Sequence, residues 1–319
     1  MPIIPSHYNP PILFKNGYFA TIYAGLIRKV TGVVQERERI YLSDGDFLDL
    51  DWSFSTQTTT KLVILIHGLE GDAQRPYITG SAKLFNTNAY DVCAINLRGC
   101  SGESNLLFRS YHSGATEDLI AVIDHILNSK KYKTIHLKGF SLGGNLILKY
   151  LGEGNPIPKE IKSAVAISVP CDLYSSLQQL LQAKNLVYAK RFKKHLIAKV
   201  QVKQKRFPDQ ISNTAIKSIR TLKDFDDVYT SKAHGFTDAL DYYKKCSCLQ
   251  FLPHISIPTL VINAKNDSFL GDECYPITAA KKNNKLFLEL PKYGGHVGFY
   301  GKNDSTYTEK RAINFCNEV

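Results

Sequence analysis

The sequence predicts an α/β fold in which helices flank a mostly parallel central sheet and a helical insertion interrupts it. Three observations support this. From residue 61 onward, short apolar runs alternate with helical patterns. The apolar runs are nearly continuous, as expected for strands of a parallel sheet that helices cover on both faces. Residues 171–252 break the alternation with mainly helical patterns, which indicates an insertion between two strands.

The strands and helices of this sheet can be placed in chain order. Each predicted strand is a short apolar run, and each predicted helix spaces its apolar residues by three or four. Strands are expected at 61–66, 90–97, 134–140, 162–170, 258–267 and 285–291, and helices at 76–88, at 116–127 and from Leu142 to near Gly152. Loops that follow parallel strands gather at one edge of the sheet, where ligands bind.

The other segments complete the predicted domain organisation. Residues 1–60 are expected to pack on the core as an N-terminal segment with an antiparallel hairpin, because apolar residues alternate around Asp44-Gly45. The acids near this turn lack the spacing of an EF-hand loop, so a turn is favoured over a calcium site. Residues 61–170 and 253–319 are predicted to form the core. Residues 171–252 are predicted to form a helical lid over the carboxyl edge of the sheet.

The positive charge of the chain lies in one segment. The net charge is +11, and residues 184–223 contain twelve Lys or Arg and one acid, Asp209, so the remainder is neutral. Two interpretations stay open for this basic segment, a solvated helical face and a peripheral contact with a membrane that brings lipid esters to the site. Nucleic-acid binding is not expected, because no recognisable motif accompanies the charge.

Cysteine usage and the amino terminus indicate the cellular setting. The seven cysteines form no Cys-x-x-Cys pair, which predicts buried thiols in a reducing cytoplasm and no zinc site. The sequence also has no spaced metal-ligand set and no Gly-x-Gly-x-x-Gly after a strand, so no metal or cofactor is expected. A signal peptide pattern and an apolar run of ~18 residues are both absent. We therefore expect a cytoplasmic protein, with the inner membrane face as a peripheral site.

A candidate nucleophile lies between a predicted strand and a predicted helix. Residues 139–143 read Gly-Phe-Ser-Leu-Gly, the pattern of the sharp elbow that displays a nucleophilic serine. Gly139 and Gly143 are expected to be small because the helix approaches the strand closely and the serine backbone is strained. Ser141 is therefore the predicted nucleophile, and a plain glycine turn is the alternative.

Such a serine requires a histidine base and a carboxylate that orients this base. His296 lies in a glycine-rich loop after the last strand, and Asp267 lies at the end of the preceding strand. The order Ser, Asp, His along the chain is that of an α/β-hydrolase. Asp172 is the alternative acid, with a helix N-cap as its structural interpretation.

Two other histidines compete with His296. His67 precedes the loop in which the amide N–H of Leu69 is predicted to stabilise an oxyanion together with that of Leu142, so His67 is expected to support this loop. His112 begins a His-x4-Glu stretch, which resembles the His-x4-Asp signature of acyltransferases without matching it. Structural packing is favoured for His112.

Taken together, these motifs resemble those of the YheT-like family of α/β-hydrolases. The resemblance is carried by NGYFATI (16–22), HGLEG, NLRGCSGE, YHSGATEDL, GFSLGGN and GGHVGF. Tyr18 and Ala20 depart from the family pattern in the first of these, and Ser268 replaces a proline after Asp267. The resemblance implies a triad of Ser141, Asp267 and His296 that acts on esters of short- to medium-chain acids or on acylglycerols.

The expected function is therefore that of a serine carboxylesterase or lipase-like enzyme whose substrate is a small-molecule or lipid ester. An acyltransferase would use the same residues and differ only in passing the acyl group to an alcohol instead of water. A catalytically inert binding protein on the same scaffold is the other alternative.

Overall fold

The computed structural model describes residues 2–130, 132–302 and 305–319, and within these ranges nine strands form one sheet. The strands are β1 (Ile3–Ile4), β2 (Glu36–Tyr41), β3 (Phe47–Ser53), β4 (Lys61–Ile66), β5 (Asp91–Asn96), β6 (Thr134–Phe140), β7 (Ile161–Ile167), β8 (Thr259–Ile262) and β9 (Leu286–Glu289). Their order in the sheet is β1-β9-β8-β7-β6-β4-β5-β3-β2. Strands β2 and β3 pair antiparallel with each other, and β3 pairs antiparallel with β5, whereas the other pairs are parallel.

Helices cover both faces of this sheet and fill the connection between β7 and β8. They are α1 (Gly17–Ile22), α2 (Pro76–Thr87), α3 (Thr116–Ser129), α4 (Leu142–Gly152), α5 (Leu173–Leu180), α6 (Leu186–Arg206), α7 (Asn213–Ser218), α8 (Leu222–Phe225), α9 (Ser231–His234), α10 (Ala239–Cys246), α11 (Ile277–Lys282) and α12 (Tyr307–Glu318). Two segments, Tyr23–Ile27 and Asp226–Thr230, are π-helical and directly follow α1 and α8.

The continuous apolar strands are explained by two separate hydrophobic clusters. Leu62, Ile64 and Ile66 of β4 belong to a cluster with α3 and α4. Val63 and Leu65 of the same strand belong to a cluster with α2 and α12. Because successive side chains of a strand point to opposite faces and both faces are covered, every position of β4 after the first is apolar.

The predicted α/β class is confirmed, and most elements lie where the sequence places them. The strands predicted at 61–66 and 134–140 have the observed bounds, and the hairpin around Asp44-Gly45 is formed by β2 and β3. The strand predicted at 258–263, within the stretch 258–267, is observed at Thr259–Ile262, and the side chain of the next residue, Asn263, donates to the carbonyls of Val169 and Cys274.

One strand has no counterpart among the predictions. β1 consists of Ile3 and Ile4, which pair with Leu288 and Glu289 of β9 and extend the sheet at that edge. Two residues are too few to show a hydrophobic periodicity in the sequence. The position of this strand is therefore determined by its pairing with β9.

The connection between β7 and β8 carries an apolar cluster of its own. Its buried residues extend from Leu177 to Cys246 and come from α5 to α10 and the turns between them. All seven cysteines of the chain are free and buried, as predicted for small apolar side chains. Within the described ranges, no helix combines the length and the hydropathy needed to cross a bilayer.

A buried ion-pair network joins the hairpin to the core. The Arg98 guanidinium, just after β5, binds Asp118 through Nε and Nη2 at 2.8 and 2.6 Å and Asp46 through Nη1 at 2.9 Å. Asn105 donates to the same oxygen of Asp46 at 2.6 Å. These side chains are almost fully buried, so each charge depends on its partners for the stabilisation that water would otherwise provide.

Replacing this arginine should destabilise the protein strongly. Arg98→Met leaves Asp46 and Asp118 buried without their cation, and we expect the free energy of unfolding to fall by about 3–5 kcal/mol. Urea denaturation followed by circular dichroism measures this difference. The control is Lys245→Ala, which removes an exposed partner of Asp241 and should leave the urea midpoint unchanged. Equal midpoints for the two variants would contradict the assigned role of Arg98.

Candidate active site

Ser141 occupies a strained turn between β6 and α4. Its backbone angles are φ 52° and ψ −119°, a conformation that residues other than glycine rarely adopt. Two backbone hydrogen bonds hold this turn. The amide of Ser141 donates to the carbonyl of Ile167 at 2.8 Å, and the backbone amide of Asn145 donates to the carbonyl of Ser141 at 3.0 Å. The serine side chain is thereby directed to the carboxyl edge of the sheet.

The two flanking glycines are required by close backbone contacts. A Cβ atom on Gly143 would lie 2.6 Å from the carbonyl oxygen of His67, and one on Gly139 would lie 2.7 Å from the amide nitrogen of Gly144. These neighbours are backbone atoms, which cannot rotate away. The first turn of α4 therefore packs against the ends of β4 and β6 only because both positions lack a side chain.

Ser141, His296 and Asp267 form a continuous hydrogen-bonded chain. Ser141 Oγ lies 3.0 Å from Nε2 of His296, and Nδ1 of His296 lies 2.8 Å from Oδ2 of Asp267. The Asp267 side chain is fully buried, and its Oδ1 accepts from the amide of Phe269 at 2.9 Å. A carboxylate can only accept, so the Nδ1 atom carries the proton and Nε2 is free to accept the serine proton.

The amino-terminal segment holds the histidine loop, a contribution that the sequence analysis did not identify. Thr21 Oγ1, in α1, accepts from the amide of His296 at 2.9 Å and donates to the carbonyl of Gly17 at 2.7 Å. Asn266 accepts from the amide of Gly295 at 3.0 Å. The NGYFATI stretch thus packs directly against the loops that carry His296 and Asp267. The signal in the sequence was the resemblance of this stretch to a family motif, and that resemblance does not indicate which residues the stretch contacts.

Two amide groups line the cavity beside the serine, one in the loop after β4 and one at the start of α4. A Cβ atom on Gly68 would lie 3.1 Å from Cβ of Ser141, so this loop runs directly beside the nucleophile candidate. Leu69 follows in the loop, Leu142 follows the serine, and both line the same cavity. Within the described residues, neither of these two amide N–H groups donates to another protein atom. Both are therefore available to an oxyanion.

The ring of His67 is hydrogen-bonded to this loop and to the residue after β5. Its Nδ1 lies 2.7 Å from the carbonyl oxygen of Gly68, and its Nε2 accepts from the amide of Leu97 at 3.2 Å. Burial lowers the pKa of His67 to about 4, so the ring is neutral at physiological pH. Both ring nitrogens are occupied by backbone groups, and His67 is thus not available as a base.

The two remaining alternatives lie outside the hydrogen-bonded chain. Asp172 is the N-cap of α5, where its side chain accepts from the amide of Ser175 at 2.7 Å. The ring of His112 packs against His234 with centroids 4.3 Å apart, and its Nδ1 accepts from the amide of Gly114. Burial lowers the pKa of His112 well below its usual value.

A cavity of about 260 Å³ contains Ser141 and His296. One part of its wall consists of exposed residues, Ile22 and Leu26 near α1 and Arg191 on α6, and this is the open end. Another part consists of buried residues, among them Tyr242 and Tyr243, and we call this part the closed end. Apolar side chains form most of the wall between them, including Leu69, Leu177, Leu180, Leu196, Phe225 and Phe269. Within the described ranges, no group of three or more His, Cys, Asp or Glu side chains is placed to hold a metal ion.

Comparison with known proteins agrees with this geometry. Residues 61–302 match the family described as alpha/beta hydrolase fold. The chain belongs to the α/β hydrolase family. YheT of Escherichia coli (strain K12) is 34% identical over 294 residues, which cover 90% of this chain and 85% of that protein. The expected resemblance to YheT-like α/β hydrolases is thereby confirmed.

Other relatives of this α/β hydrolase carry names that describe activities. The mouse (Mus musculus) protein named phospholipase ABHD3 is 29% identical over 307 residues, covering 93% of this chain and 74% of the mouse protein. The Saccharomyces cerevisiae protein named medium-chain fatty acid ethyl ester synthase/esterase 2 is 27% identical over 310 residues, covering 88% of this chain and 66% of the yeast protein. Among solved structures, the Pyrococcus furiosus esterase Pf2001 superposes with a TM-score of 0.58 at 18% identity, covering 91% of this chain and 98% of that chain, which concerns the fold alone.

Substitution of Gly143 by alanine, which adds a single methyl group, tests the close contact at this position. In Gly143→Ala the new Cβ meets the carbonyl oxygen of His67, so we expect the free energy of unfolding to fall by more than about 2 kcal/mol. In the neighbouring control Gly144→Ala, the new Cβ would lie 2.8 Å from a methyl group of Val169, which can rotate. Chemical denaturation of both variants should show the larger loss for Gly143→Ala. The opposite ranking would contradict the packing described for the elbow.

Proposed function

We propose that this α/β hydrolase is a serine hydrolase that cleaves carboxylic esters of short- to medium-chain acids, or acylglycerols, through an acyl-enzyme on Ser141. The observation that supports this most directly is the chain from Ser141 through His296 to Asp267, with distances of 3.0 and 2.8 Å. A serine, a histidine and a buried carboxylate in this arrangement activate the hydroxyl for attack on a carbonyl.

The reaction proceeds in two halves on the same residues. His296 Nε2 takes the proton of Ser141 as Oγ attacks the ester carbonyl, and the oxyanion accepts from the amides of Leu69 and Leu142. The tetrahedral intermediate collapses, and His296 passes the proton to the departing alcohol. Water then enters, gives its proton to the same nitrogen and releases the acid from the serine. Asp267 keeps the imidazole oriented and stabilises its charged form.

The ester class is supported by two independent observations. The cavity wall near Ser141 is mainly apolar, which suits the hydrocarbon part of an acyl ester better than a peptide or a sugar. The names of the mouse and yeast relatives describe a phospholipase and an ester synthase/esterase. The yeast name also supports the alternative of acyl transfer, in which an alcohol replaces water at the acyl-enzyme. Adding ethanol and measuring the ratio of ethyl ester to free acid separates the two reactions.

The insertion 171–252 is proposed to act as the lid of this site. Its residues Leu177, Arg191, Leu196 and Tyr243 line the cavity that contains Ser141. The insertion therefore supplies a large part of the wall that the acyl chain and the alcohol would contact, and we assign substrate selection to it.

Single substitutions in the triad test the mechanism. Ser141→Ala should abolish covalent labelling by a fluorophosphonate probe and lower kcat on p-nitrophenyl esters by about a thousandfold or more. Asp267→Asn should lower kcat by a similar factor, because Nδ1 loses the acceptor that fixes its proton. A p-nitrophenyl ester series from acetate to decanoate measures both effects and the preferred chain length.

The matched control for the acid is Asp172→Asn. This side chain caps α5, and asparagine caps about as well as aspartate, so the variant should keep its stability and keep kcat within about threefold of the wild-type value. Probe labelling that persists in Ser141→Ala, or a loss of activity in Asp172→Asn equal to that in Asp267→Asn, would rule out the proposed triad.

We also propose a peripheral membrane contact, at a more restricted place than the whole segment 184–223. Several cations of this segment are engaged by the core: Lys199 contacts Glu70 at 3.0 Å, Lys203 contacts Asn105 Oδ1 at 2.6 Å, and Arg206 contacts the Asn105 carbonyl at 3.0 Å. The cations at the start of α6 are different, since Lys190, Arg191 and Lys194 are exposed. Lys205, Lys217 and Arg220 are exposed as well, but among these cations it is Arg191 that lines the cavity, so the start of α6 is the place that we propose.

Exposed apolar side chains surround the same end of the cavity. Leu26 is 58% exposed and Ile22 40%, and both line the open end. Val187, on the first turn of α6, is 79% exposed. Tyr188, the residue after Val187, lines the same cavity as Ile22 and Leu26, so both exposed apolar groups lie beside this cavity. Apolar residues flanked by cations at a cavity opening suit an anionic lipid surface.

Flotation with lipid vesicles tests this contact. The protein should float with vesicles that contain phosphatidylserine and much less with pure phosphatidylcholine. Lys190→Glu combined with Lys194→Glu should weaken binding to the anionic vesicles by about tenfold or more, and Leu26→Glu should weaken it on both lipids. Tyr41→Glu is the control, because Tyr41 is an exposed residue on the edge strand β2 at the other side of the sheet. Equal flotation with and without phosphatidylserine would contradict the proposal.

A further inference from the structure

Two acids line the cavity, Glu70 and Asp226, and Glu70 is paired with Lys199. Asp226 lines the cavity together with Thr230 and Tyr243. It begins the π-helical segment Asp226–Thr230, and short π-helical stretches in proteins are frequently found at functional sites. The second π-helical segment, Tyr23–Ile27, lines the same cavity at its open end through Leu26.

The Asp226 carboxyl group faces the cavity. Asp226 is half-buried and is one of the residues that line the cavity. Burial raises the pKa of its carboxyl group to about 6, and the hydrogen bonds from Thr230 and Tyr243 act in the opposite direction. A molecule in the cavity can therefore reach this residue.

The carboxylate has no cationic partner. Thr230 donates to Oδ1 at 2.6 Å and Tyr243 donates to Oδ2 at 2.6 Å. The nearest lysine, Lys223, is engaged by Asp227 at 2.6 Å instead. Within the described residues, no Lys, Arg or His side chain forms an ion pair with Asp226. A carboxylate can accept about four hydrogen bonds, so its capacity is only half used.

An unpaired carboxylate is unfavourable in such a place unless something binds to it. The residues around it are largely apolar, including Leu222, Phe225 and Tyr242, and a charged group in these surroundings lacks the solvation that water provides. A plain alkyl chain at the closed end would leave the carboxylate unsatisfied. A hydrogen-bond donor at that position would complete its coordination, and charge-assisted hydrogen bonds of this kind are the strong ones.

We propose that Asp226 is a substrate-binding residue that accepts a hydrogen bond from a hydroxyl or protonated amine on the part of the ester that reaches the closed end of the cavity. This inference rests on the proposed ester hydrolysis and specifies its substrate class. The donor is a substituent of the acyl chain or of the alcohol, and paired substrates distinguish the two origins.

Matched ester pairs measure the contribution of Asp226. One pair is p-nitrophenyl hexanoate and p-nitrophenyl 6-hydroxyhexanoate, with the 6-ammonio ester as a third member, and the other pair is propyl hexanoate and 2-hydroxyethyl hexanoate. We expect the ratio of kcat/KM for the donor-bearing to the plain ester to be about tenfold higher in the wild type than in Asp226→Asn for at least one pair. Asn keeps an acceptor for the hydroxyls of Thr230 and Tyr243, so this variant should fold.

Two further variants separate binding from structure. Asp227→Asn removes the neighbouring acid, which does not line the cavity, and should leave both ratios at the wild-type value. Asp226→Leu should lower the ratio further and improve kcat/KM for the plain esters. Wild-type ratios in both Asp226 variants, on both pairs, would overturn the inference even if all plain esters are hydrolysed.

A binding measurement distinguishes this outcome from a failure of the proposed function. In the Ser141→Ala background, hexylamine and 1-hexanol should raise the thermal midpoint, and adding Asp226→Asn should remove most of that increase. If the wild type hydrolyses none of the plain esters, the proposed function fails. The shift of the thermal midpoint still shows whether Asp226 binds the donor group. An equal shift with and without Asp226→Asn would overturn the inference alone.

Discussion

The close approach of α4 to the ends of β4 and β6 determines where the other parts of the site can lie. Two glycines permit this approach, and it holds Ser141 at a positive φ with its side chain above the carboxyl edge of the sheet. The amide of Leu142 becomes available at the same place because it belongs to the first turn of α4, where N–H groups have no partner within the helix. His296 then needs only to reach this edge from the loop after β9, and Asp267 to reach His296 from the loop after β8. The local strain is maintained by the surrounding strands, since Ser141 itself is hydrogen-bonded to Ile167 of β7.

The sequence predicts the elements that the parallel sheet requires and much of the candidate site. Strand β6, the elbow and α4 each show a local pattern, so Ser141 could be placed without knowledge of distant contacts. Asp267 and His296 could be chosen because each lies in a loop after a strand at the same edge. The short strand β1 could not be predicted, because its extent depends on a partner far away in the chain, Leu288. Thr21 was missed for the same reason: its contact with His296 spans 275 residues.

Charge is the property for which composition was least informative. The twelve cations of the basic segment look equivalent in the sequence, yet Lys199, Lys203 and Arg206 bind atoms of the core while Lys190 and Lys194 remain exposed. Asp226 shows the converse. In the sequence it is one of two adjacent aspartates, and the structure gives the pair to different partners, Asp227 to Lys223 and Asp226 to the cavity. Which of two neighbouring like charges is neutralised is decided by side-chain packing, and no pattern along the chain encodes it.

The attachment of α6 to the core has a consequence for how a substrate enters. Lys203 binds the carbonyls of Asn105 and Leu107 as well as the Asn105 amide oxygen, and Lys199 lies between Glu70 and Cys100. A swing of the whole helix would strip a partly or fully buried ammonium group of several acceptors at once, which costs far more than thermal motion supplies. The carboxyl-terminal half of α6 is therefore fixed relative to the core. The exposed part of the cavity wall, formed by Ile22, Leu26 and Arg191, does not depend on these ammonium contacts, so we expect exchange with the surroundings there without a hinge motion of the helix.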